Sequence, residues 1–458
     1  MMFICSTIFQ HTFIIMGILT QALGLILSLS ILVLLHEFGH FFFARLFKTR
    51  VEKFYLFFDP WFSLFKFKKG DTEYGIGWLP LGGYVKISGM IDESMDKEAM
   101  KQPAKPYEFR SKPAWQRLLI MTGGVLVNFL LALFIYSMVL FTWGKEYIAP
   151  EDIDYGYDFH EIAQEIGFQN GDKIIAVDTF HLENYRDIVP KLLIDEPRYA
   201  EVLREGEIHR IEIPEGFARQ VIAAEVRDLI NIRVPFVIDT LVPGSAGHRA
   251  GLRTGDRIVG IDNKSTPYFS DFNREKVNYA SQTTAVNILR NNHPMSIEVH
   301  FDETAVLGVY NKPPDYHFRI SKEEYGLLSA IPAGIDLGVE RLGFYVRQMK
   351  LVFTKEGAKQ VGGFGAIGGL FPKSWDWQTF WNMTAFISLV LAFMNILPIP
   401  ALDGGHVAFL LYEIVTGRKP GDKFLEYAQM IGMILLLSLL LFANGNDIYR
   451  AVQGWLTK

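Results

Sequence analysis

Residues 13–40 read FIIMGILTQALGLILSLSILVLLHEFGH, an apolar run that ends in His36-Glu-Phe-Gly-His40. The part from Phe13 to Leu35 carries no charge and is long enough to cross a bilayer as a helix. In a helix, residues four positions apart lie on one face, about 6 Å apart along the axis. The stretch therefore predicts a membrane helix, about residues 13–40, with two histidines side by side at one end.

Three further runs, residues 118–141, 377–402 and 427–446, have the length and apolar character of membrane spans. Each run could also be a core helix of a soluble domain, but four such runs in one chain favour membrane spans. The first run has no basic residue before it and no small-residue cleavage site after it. We therefore expect it to be a retained span, whether translation starts at Met1 or at Met16.

Basic residues are concentrated in two of the loops that join these spans. Residues 41–117 carry many Lys and Arg near the first span, and residues 418–423 carry three more. The positive-inside rule predicts that both loops are cytoplasmic. Residues 142–376 and both termini would then lie on the opposite side of the membrane.

The composition argues against a nucleic-acid-binding protein and against cysteine-based chemistry. Half of the residues are hydrophobic, while the net charge of −5 and the pI near 6.2 argue against nucleic acid as a partner. Cys5 is the sole cysteine, so the chain can form neither an internal disulfide nor a cysteine-based zinc cluster.

The polar middle of the chain contains an internal repeat. IGFQNGDKIIAVD at 166–178 aligns with AGLRTGDRIVGID at 250–262, 84 residues later. In each copy a glycine precedes an apolar residue, and Gly-Asp then opens a β-branched run, which is typical of a capped turn that enters a strand. The pattern resembles the Gly-Leu-x-x-Gly-Asp-x-Ile signature of bacterial PDZ domains.

This resemblance implies two α+β PDZ-like domains, at about 150–227 and 228–305. The first is degenerate, because Phe168 stands where the signature has Leu and no lead-in like Pro243-Gly-Ser245 precedes it. PDZ domains bind peptide ends as an added β-strand. Recruitment of peptide ends and steric exclusion of substrates are both open roles for the pair.

The two histidines of the first span are suited to metal binding. Two imidazoles on one helix face can bind one Zn²⁺, and Glu37 between them is available as a base toward water. Ionisable groups continuous with an apolar span are costly, which makes a functional role the default expectation. Zinc also needs a third protein ligand and an open position.

The end of the third span supplies candidates for that ligand. It reads NILPIPALDGG at 395–405, where Pro398 and Pro400 break the helix and free backbone carbonyls. Asp403 follows the break and could complete the site, although His406, three positions on, is also a competent ligand. Asn395 could hydrogen-bond a substrate carbonyl or a developing oxyanion.

Together these motifs resemble the site-2 protease family of intramembrane zinc metalloproteases. The repeat, the four spans and the PLGGYV stretch at 80–85 resemble its bacterial branch, the regulator-of-sigma-E proteases. The resemblance implies zinc ligands at His36, His40 and Asp403, with Glu37 as the catalytic base. Four further positions match family elements near the substrate or the oxyanion: Asn395, Pro398, Pro400 and Asn128.

The same resemblance implies a place in the bacterial cytoplasmic membrane and an endopeptidase activity. Its substrates would be single-span proteins already trimmed outside the membrane by another protease, such as anti-sigma factors or remnant signal peptides. The expected fold is a polytopic α-helical membrane protein with two inserted extracytoplasmic PDZ-like domains. Its membrane halves are residues 13–141 and 377–446, and residues 306–376 form a linker.

Other stretches are less specific. Glu73–Ile87 reads as a Gly-rich hairpin that the family places partly in the membrane, and residues 330–354 form a helix that either lies on the lipid surface or packs in the protein. GFGAIG at 363–368 fits a nucleotide-binding pattern, but no βαβ unit surrounds it. Two rival functions are a membrane scaffold with a vestigial metal site and a metal transporter, which would need ionisable residues along several spans.

Overall fold

The computed structural model describes residues 2–80, 82–90, 103–226 and 228–456. The chain divides into two compact units. The membrane unit comprises Met1–Gly144 and Glu324–Lys458, and the insert unit comprises Lys145–Glu323.

The described residues form fourteen α-helices and eighteen β-strands. The helices are α1 (Met2–Leu46), α2 (Ala114–Trp143), α3 (Glu161–Glu165), α4 (Ile188–Ile194), α5 (Phe217–Ala223), α6 (Ala246–Ala250), α7 (Phe269–Glu275), α8 (Pro314–His317), α9 (Leu327–Val352), α10 (Lys355–Ala358), α11 (Phe364–Gly368), α12 (Trp377–Ile396), α13 (Asp403–Thr416) and α14 (Asp422–Leu456). The strands are β1 (Val51–Leu56), β2 (Phe58–Lys69), β3 (Thr72–Leu79), β4 (Tyr84–Ile87), β5 (Lys145–Tyr147), β6 (Tyr157–Phe159), β7 (Lys173–Val177), β8 (Phe180–His181), β9 (Tyr199–Arg204), β10 (Glu207–Glu212), β11 (Ile230–Ile232), β12 (Phe236–Leu241), β13 (Arg257–Ile261), β14 (Lys264–Ser265), β15 (Thr283–Arg290), β16 (His293–His300), β17 (Val309–Asn311) and β18 (Ser321–Glu323).

Four helices of the membrane unit are long and apolar enough to cross a bilayer, as the sequence predicts. They are Ile15–Leu46, Ala114–Trp143, Trp377–Ile396 and Lys423–Gln453. The third ends at Ile396, before the predicted limit at residue 402. It ends there because Pro398 and Pro400 cannot continue the backbone hydrogen bonding. The chain is a membrane protein with additional β-sheet regions.

The first two membrane helices touch through glycine. A Cβ atom added to Gly39 of α1 would lie 2.3 Å from the carbonyl oxygen of Gly123, and one added to Gly123 would lie 2.6 Å from the carbonyl oxygen of Gly39. Only small residues allow two helix backbones to approach this closely. The contact holds the His36–His40 turn directly against α2.

The sheet of the membrane unit corrects one expectation. Its strand order is β2-β3-β1-β4, so β3 and β4 are not partners in a hairpin over Glu73–Ile87. Strand β1 lies between them, parallel to β3 and antiparallel to β4. Val51 and Tyr55 of β1 are fully buried, as expected for an inner strand of the sheet. Within the predicted hairpin, Leu81 lies outside the described residues.

The insert unit consists of two similar modules, each with its own hydrophobic core. The first has the sheet β10-β9-β7-β8 and the pair β11-β6, and the second has the sheet β16-β15-β13-β12-β17. In each module the last strand returns to pair with the first one, β11 with β6 and β17 with β12. The modules therefore extend beyond the predicted boundaries at 227 and 305.

The repeated Gly-Asp has the same structural role in both modules. Asp172 and Asp256 are each 1 % exposed and each receive two hydrogen bonds, 2.7–2.8 Å long, from one guanidinium group. The donor is Arg204 in the first module and Arg290 in the second. Each arginine also donates to the carbonyl oxygen of the glycine that opens its repeat, Gly167 or Gly251, at 3.0 Å. The repeat is thus a structural duplication and not only a sequence pattern.

Replacing Arg290 with Ala should unfold the second module at much lower denaturant concentration. The change leaves the buried Asp256 carboxylate without its cation, which typically costs about 3–5 kcal/mol. Arg253→Ala, at an exposed position of the same module, is the matched control and should change the free energy of unfolding by less than about 0.5 kcal/mol. Urea unfolding followed by circular dichroism measures both, and equal effects would contradict the structural role of the pair.

Two further segments find their place within the membrane unit. Helix α9, which covers the predicted helix at 330–354, packs against α2, where Gly334 and Gly338 face Ser137 and Leu133. It is therefore a packed helix.

The backbone N–H groups at the start of GFGAIG are capped by α14, since Gly363 donates to Asp447 at 2.9 Å. This explains the glycine-rich pattern without a nucleotide.

Candidate metal centre

Helix α1 presents His36 and His40 on one face, as their spacing predicts. Their ring centroids are 4.9 Å apart, and their Nε2 atoms are 3.2 Å apart. His40 is buried, and His36 is half-buried. Both Nε2 atoms point toward the same small volume.

Asp403 reaches that volume from the other half of the membrane unit. Its Oδ2 atom lies 3.1 Å from Nε2 of His36 and 3.4 Å from Nε2 of His40. Burial alone would raise the pKa of Asp403, but the neighbouring imidazoles of His40 and His36 keep this pKa well below its usual range. The ionised form of a carboxylate is the one that binds a metal.

The broken segment before Asp403 sets the position of this carboxylate. Helix α13 begins at Asp403 itself, two residues after Ala401, whose φ of 77° is unusual for a residue with a side chain. A Cβ atom on Gly404 would lie 2.1 Å from the carbonyl oxygen of Leu397, so the turn requires glycine there. On the other side, a Cβ atom on Gly432 of α14 would lie 1.8 Å from the carbonyl oxygen of Pro400.

The three side chains fit a zinc ion. Their ligand atoms are 3.1–3.4 Å apart. A tetrahedral zinc ion with bonds of about 2.0–2.1 Å requires ligand atoms about 3.3 Å apart. Oδ2 of Asp403 is buried and receives no hydrogen bond from any described residue, which leaves it available to a cation. Among the described residues, His36, His40 and Asp403 are the group that could hold a metal ion.

Helix α2 supports the two imidazoles from behind. Nδ1 of His40 lies 2.8 Å from the carbonyl oxygen of Ile120, and the side-chain amide of Asn128 lies 3.3 Å from Nδ1 of His36. Between them, a Cβ atom on Gly124 would lie 2.5 Å from Nε2 of His40. The Gly124-x-x-x-Asn128 spacing therefore brings α2 against both rings.

A cavity of about 710 Å³ opens beside these side chains within the membrane unit. Glu37, which lies between the two histidines, is one of its lining residues. Strand β4, at the edge of the sheet, supplies part of the wall. The other lining residues are His36, His40, Lys53, Phe58, Asp59, Pro60, Leu79, Gly83, Met90, Met121, Ala401, Leu402, Asp403 and His406.

Not every predicted site residue reaches this cavity. Asn395 lies in the last turn of α12, and neither it nor Pro398 or Pro400 is among the described residues of the cavity wall. Asn128 is buried behind His36. His406 lines the cavity but stands outside the three-residue group.

Several residues of the site were not predicted from the sequence. Asp59 and Tyr84 line the cavity, and Tyr84 donates a hydrogen bond to Asp59 at 2.9 Å. Burial and the Asp59 carboxylate raise the pKa of Tyr84 well above its usual value, so the phenol remains a donor at neutral pH. Gly83 is tightly enclosed beside Glu37, because a Cβ atom there would lie 2.7 Å from the carbonyl oxygen of Tyr55 and 3.2 Å from Cγ of Glu37. The Gly82-Gly83 pair was a usable signal for a close backbone approach.

Comparison with known proteins agrees with this geometry. The chain matches the profile of peptidase family M50 over residues 24–439. It is 28 % identical to the protease RseP of Yersinia pestis over 95 % of this chain and 100 % of that protein, and 28 % identical to the regulator of sigma-E protease RseP of Escherichia coli K12 over 93 % and 97 %. A relative from Rickettsia conorii, named as a zinc metalloprotease, is 27 % identical over 93 % of this chain and 98 % of its own length. The chain therefore belongs to peptidase family M50 and is a zinc-dependent metalloendopeptidase of the RseP type.

Proposed function

We propose that the chain cleaves single-span membrane proteins inside their apolar segment, after another protease has trimmed them outside the membrane. The observation that carries this proposal is the location of the candidate metal group. His36 and His40 belong to a helix long and apolar enough to span a bilayer, and Asp403 follows a second such helix. A substrate would therefore have to enter the bilayer to reach them.

The proposed chemistry assigns one role to each group. His36, His40 and Asp403 would hold zinc, which polarises a scissile carbonyl and activates water when bound. Glu37, facing the same cavity, would take a proton from the attacking water and pass it to the leaving amine. A carboxylate is suited to both transfers, because it can accept a proton and then donate it.

The substrate segment must be unwound, because a helix hides its amides in internal hydrogen bonds. Strand β4 pairs with β1 along one edge and is the last strand of its sheet. Its residues Tyr84–Ile87 line the cavity beside the metal group. We therefore propose that an extended substrate adds to the open edge of β4.

The insert modules are proposed to be PDZ-like, and the second is proposed to bind peptide ends. A groove of about 230 Å³ lies in this module between α7 and the edge strand β17. Its lining is largely apolar and includes Phe236, Phe269 and Leu307. An apolar peptide end could add to β17 and place a side chain in this groove.

In the first module we propose that the chain itself fills the equivalent space. Helix α5, which lies between β10 and β11, packs against α4, the counterpart of α7. Phe217 and Val221 of α5 are each 2 % exposed within the core of the module. We therefore propose that the first module binds no peptide and acts as a spacer.

We place the protein in the bacterial cytoplasmic membrane, with the HExxH motif toward the cytoplasm and the insert unit on the opposite side. The basic loops and the bacterial relatives support this orientation. The name of the Escherichia coli relative, regulator of sigma-E protease, supports anti-sigma-factor-like substrates, and remnant signal peptides are a second class.

The test uses a single-span model substrate in two forms, with and without its folded extracytoplasmic domain. The purified chain should cut the trimmed form within the apolar segment and leave the untrimmed form intact. Mass spectrometry of the products locates the cut. Cleavage outside the apolar segment would contradict the proposed function.

A deletion then tests whether the insert unit excludes untrimmed substrates. Lys145 pairs with Glu323 across the antiparallel strands β5 and β18, so residues 148–320 can be replaced by an Asn-Gly turn. The deletion variant should cut both substrate forms. Loss of cutting of the trimmed form, with zinc still bound, would instead show that the modules recruit substrates.

A further inference from the structure

Asn128 is a buried polar residue in the middle of a membrane helix. Its side chain is only 1 % exposed, and its amide lies 3.3 Å from Nδ1 of His36. It is not among the described residues that line the cavity. A role in contacting substrate or an oxyanion, which the resemblance implies, therefore does not fit its position.

The hydrogen bond to His36 determines which ring nitrogen is free. With the amide nitrogen toward the ring, Asn128 would donate to Nδ1, so Nε2 would carry the proton and could not bind a metal. In that orientation Oδ1 of Asn128 is also buried without a hydrogen bond. The oxygen and nitrogen of an amide are interchangeable by a rotation of its plane. The rotated amide accepts a hydrogen bond from Nδ1–H through Oδ1 and leaves the lone pair of Nε2 facing Asp403.

The second imidazole has the same arrangement. Nδ1 of His40 lies 2.8 Å from the carbonyl oxygen of Ile120, which can only accept a hydrogen bond. Nε2 of the neutral ring is therefore unprotonated. Ile120 and Asn128 both belong to α2, with Gly124 between them pressed against the two rings. One helix thus supplies an acceptor to each histidine.

Asn128 is itself held in place. Its backbone carbonyl oxygen accepts a hydrogen bond from Oγ of Ser388 at 2.7 Å, and both residues are buried. Ser388 belongs to α12, the helix that leads to the broken segment before Asp403. The residue behind His36 is therefore bonded to the helix that precedes Asp403 in the chain.

We propose that Asn128 is a positioning residue that accepts a hydrogen bond from Nδ1–H of His36 and so holds Nε2 ready to bind zinc. This proposal rests on the metal centre proposed above. Partners of this kind orient the ligand ring, and their loss typically lowers metal affinity by about 10–100-fold.

The test measures zinc affinity of the full-length protein in detergent, by competition with a chromogenic chelator. Asn128→Leu, which removes the acceptor at similar size, should lower zinc affinity by about 10–100-fold. Asn128→Asp, which keeps an acceptor oxygen, should bind zinc nearly as well as the wild type. Ser137→Ala, another buried polar residue of α2, is the control for loosening of the helix and should have no effect.

Rescue by aspartate separates a positioning role from simple packing. Wild-type affinity in Asn128→Leu, or equal losses in the Leu and Asp variants, would overturn the proposal. If the Leu variant does not fold, Asn128→Ala removes the acceptor without added bulk and gives the same comparison. His36→Ala is measured beside them, and zinc retained in that variant would overturn the metal centre itself.

Discussion

Replacing Glu37 with Gln should abolish peptide cleavage and leave zinc bound. Gln has nearly the shape of Glu but cannot accept a proton, so only the transfer of protons is lost. Loss of a general base typically lowers the rate by about 10²–10⁴-fold. Zinc should remain because Glu37 stands outside the group formed by His36, His40 and Asp403. Metal analysis and a cleavage assay on one preparation measure both quantities.

Glu340→Gln is the matched control for this experiment. Glu340 lies on an exposed part of α9, so the same chemical change there should leave the cleavage rate and the zinc content unchanged. Substantial cleavage by Glu37→Gln would remove Glu37 from the base role. Loss of zinc in Glu37→Gln would show that the carboxylate is a ligand or supports one.

The second large effect is expected when Asp403, the third candidate zinc ligand, is replaced. Asp403→Ala should lower zinc affinity by more than about 100-fold, beyond the loss typical of an outer partner, and should remove activity. Oδ2 of Asp403 lies within 3.4 Å of both Nε2 atoms, so its loss removes one of three converging ligand atoms. Zinc retained after mild chelation measures this effect.

His406→Ala is the natural comparison, because His406 lines the same cavity one helical turn farther on. We expect this variant to keep most of its zinc and its activity. The opposite result, with zinc lost in His406→Ala and kept in Asp403→Ala, would make the centre a site of three histidines.

Local patterns were enough to predict much of this structure. Hydropathy gives the four long helices, because a span requires a continuous apolar run. The i, i+4 spacing of His36 and His40 predicts their shared helix face, which the structure confirms. The two Gly-Asp repeats predicted a duplication, and the matching pairs Asp172–Arg204 and Asp256–Arg290 confirm it.

Other features depend on contacts that no local pattern contains. The insertion of β1 between β3 and β4 is a pairing of distant segments, whereas the residues at 73–87 alone suggest a hairpin. The position of Asn128 behind His36 follows from the crossing of α1 and α2 at their glycines. The sequence shows that Gly124 and Asn128 are four positions apart, but it does not show which residues they contact.

The close approach of Gly432 to the Pro400 carbonyl has a thermodynamic consequence. Helix α14 is poorly covered, with 6 % of its most apolar stretch buried, and this contact and the capping of Gly363 by Asp447 are two of its attachments. Pro400 lies three residues before Asp403. Any ion that binds only when Asp403 is in place also stabilises the conformation of this loop. Zinc bound by Asp403 would therefore be linked to the seating of the C-terminal helix, and each would favour the other by the same factor.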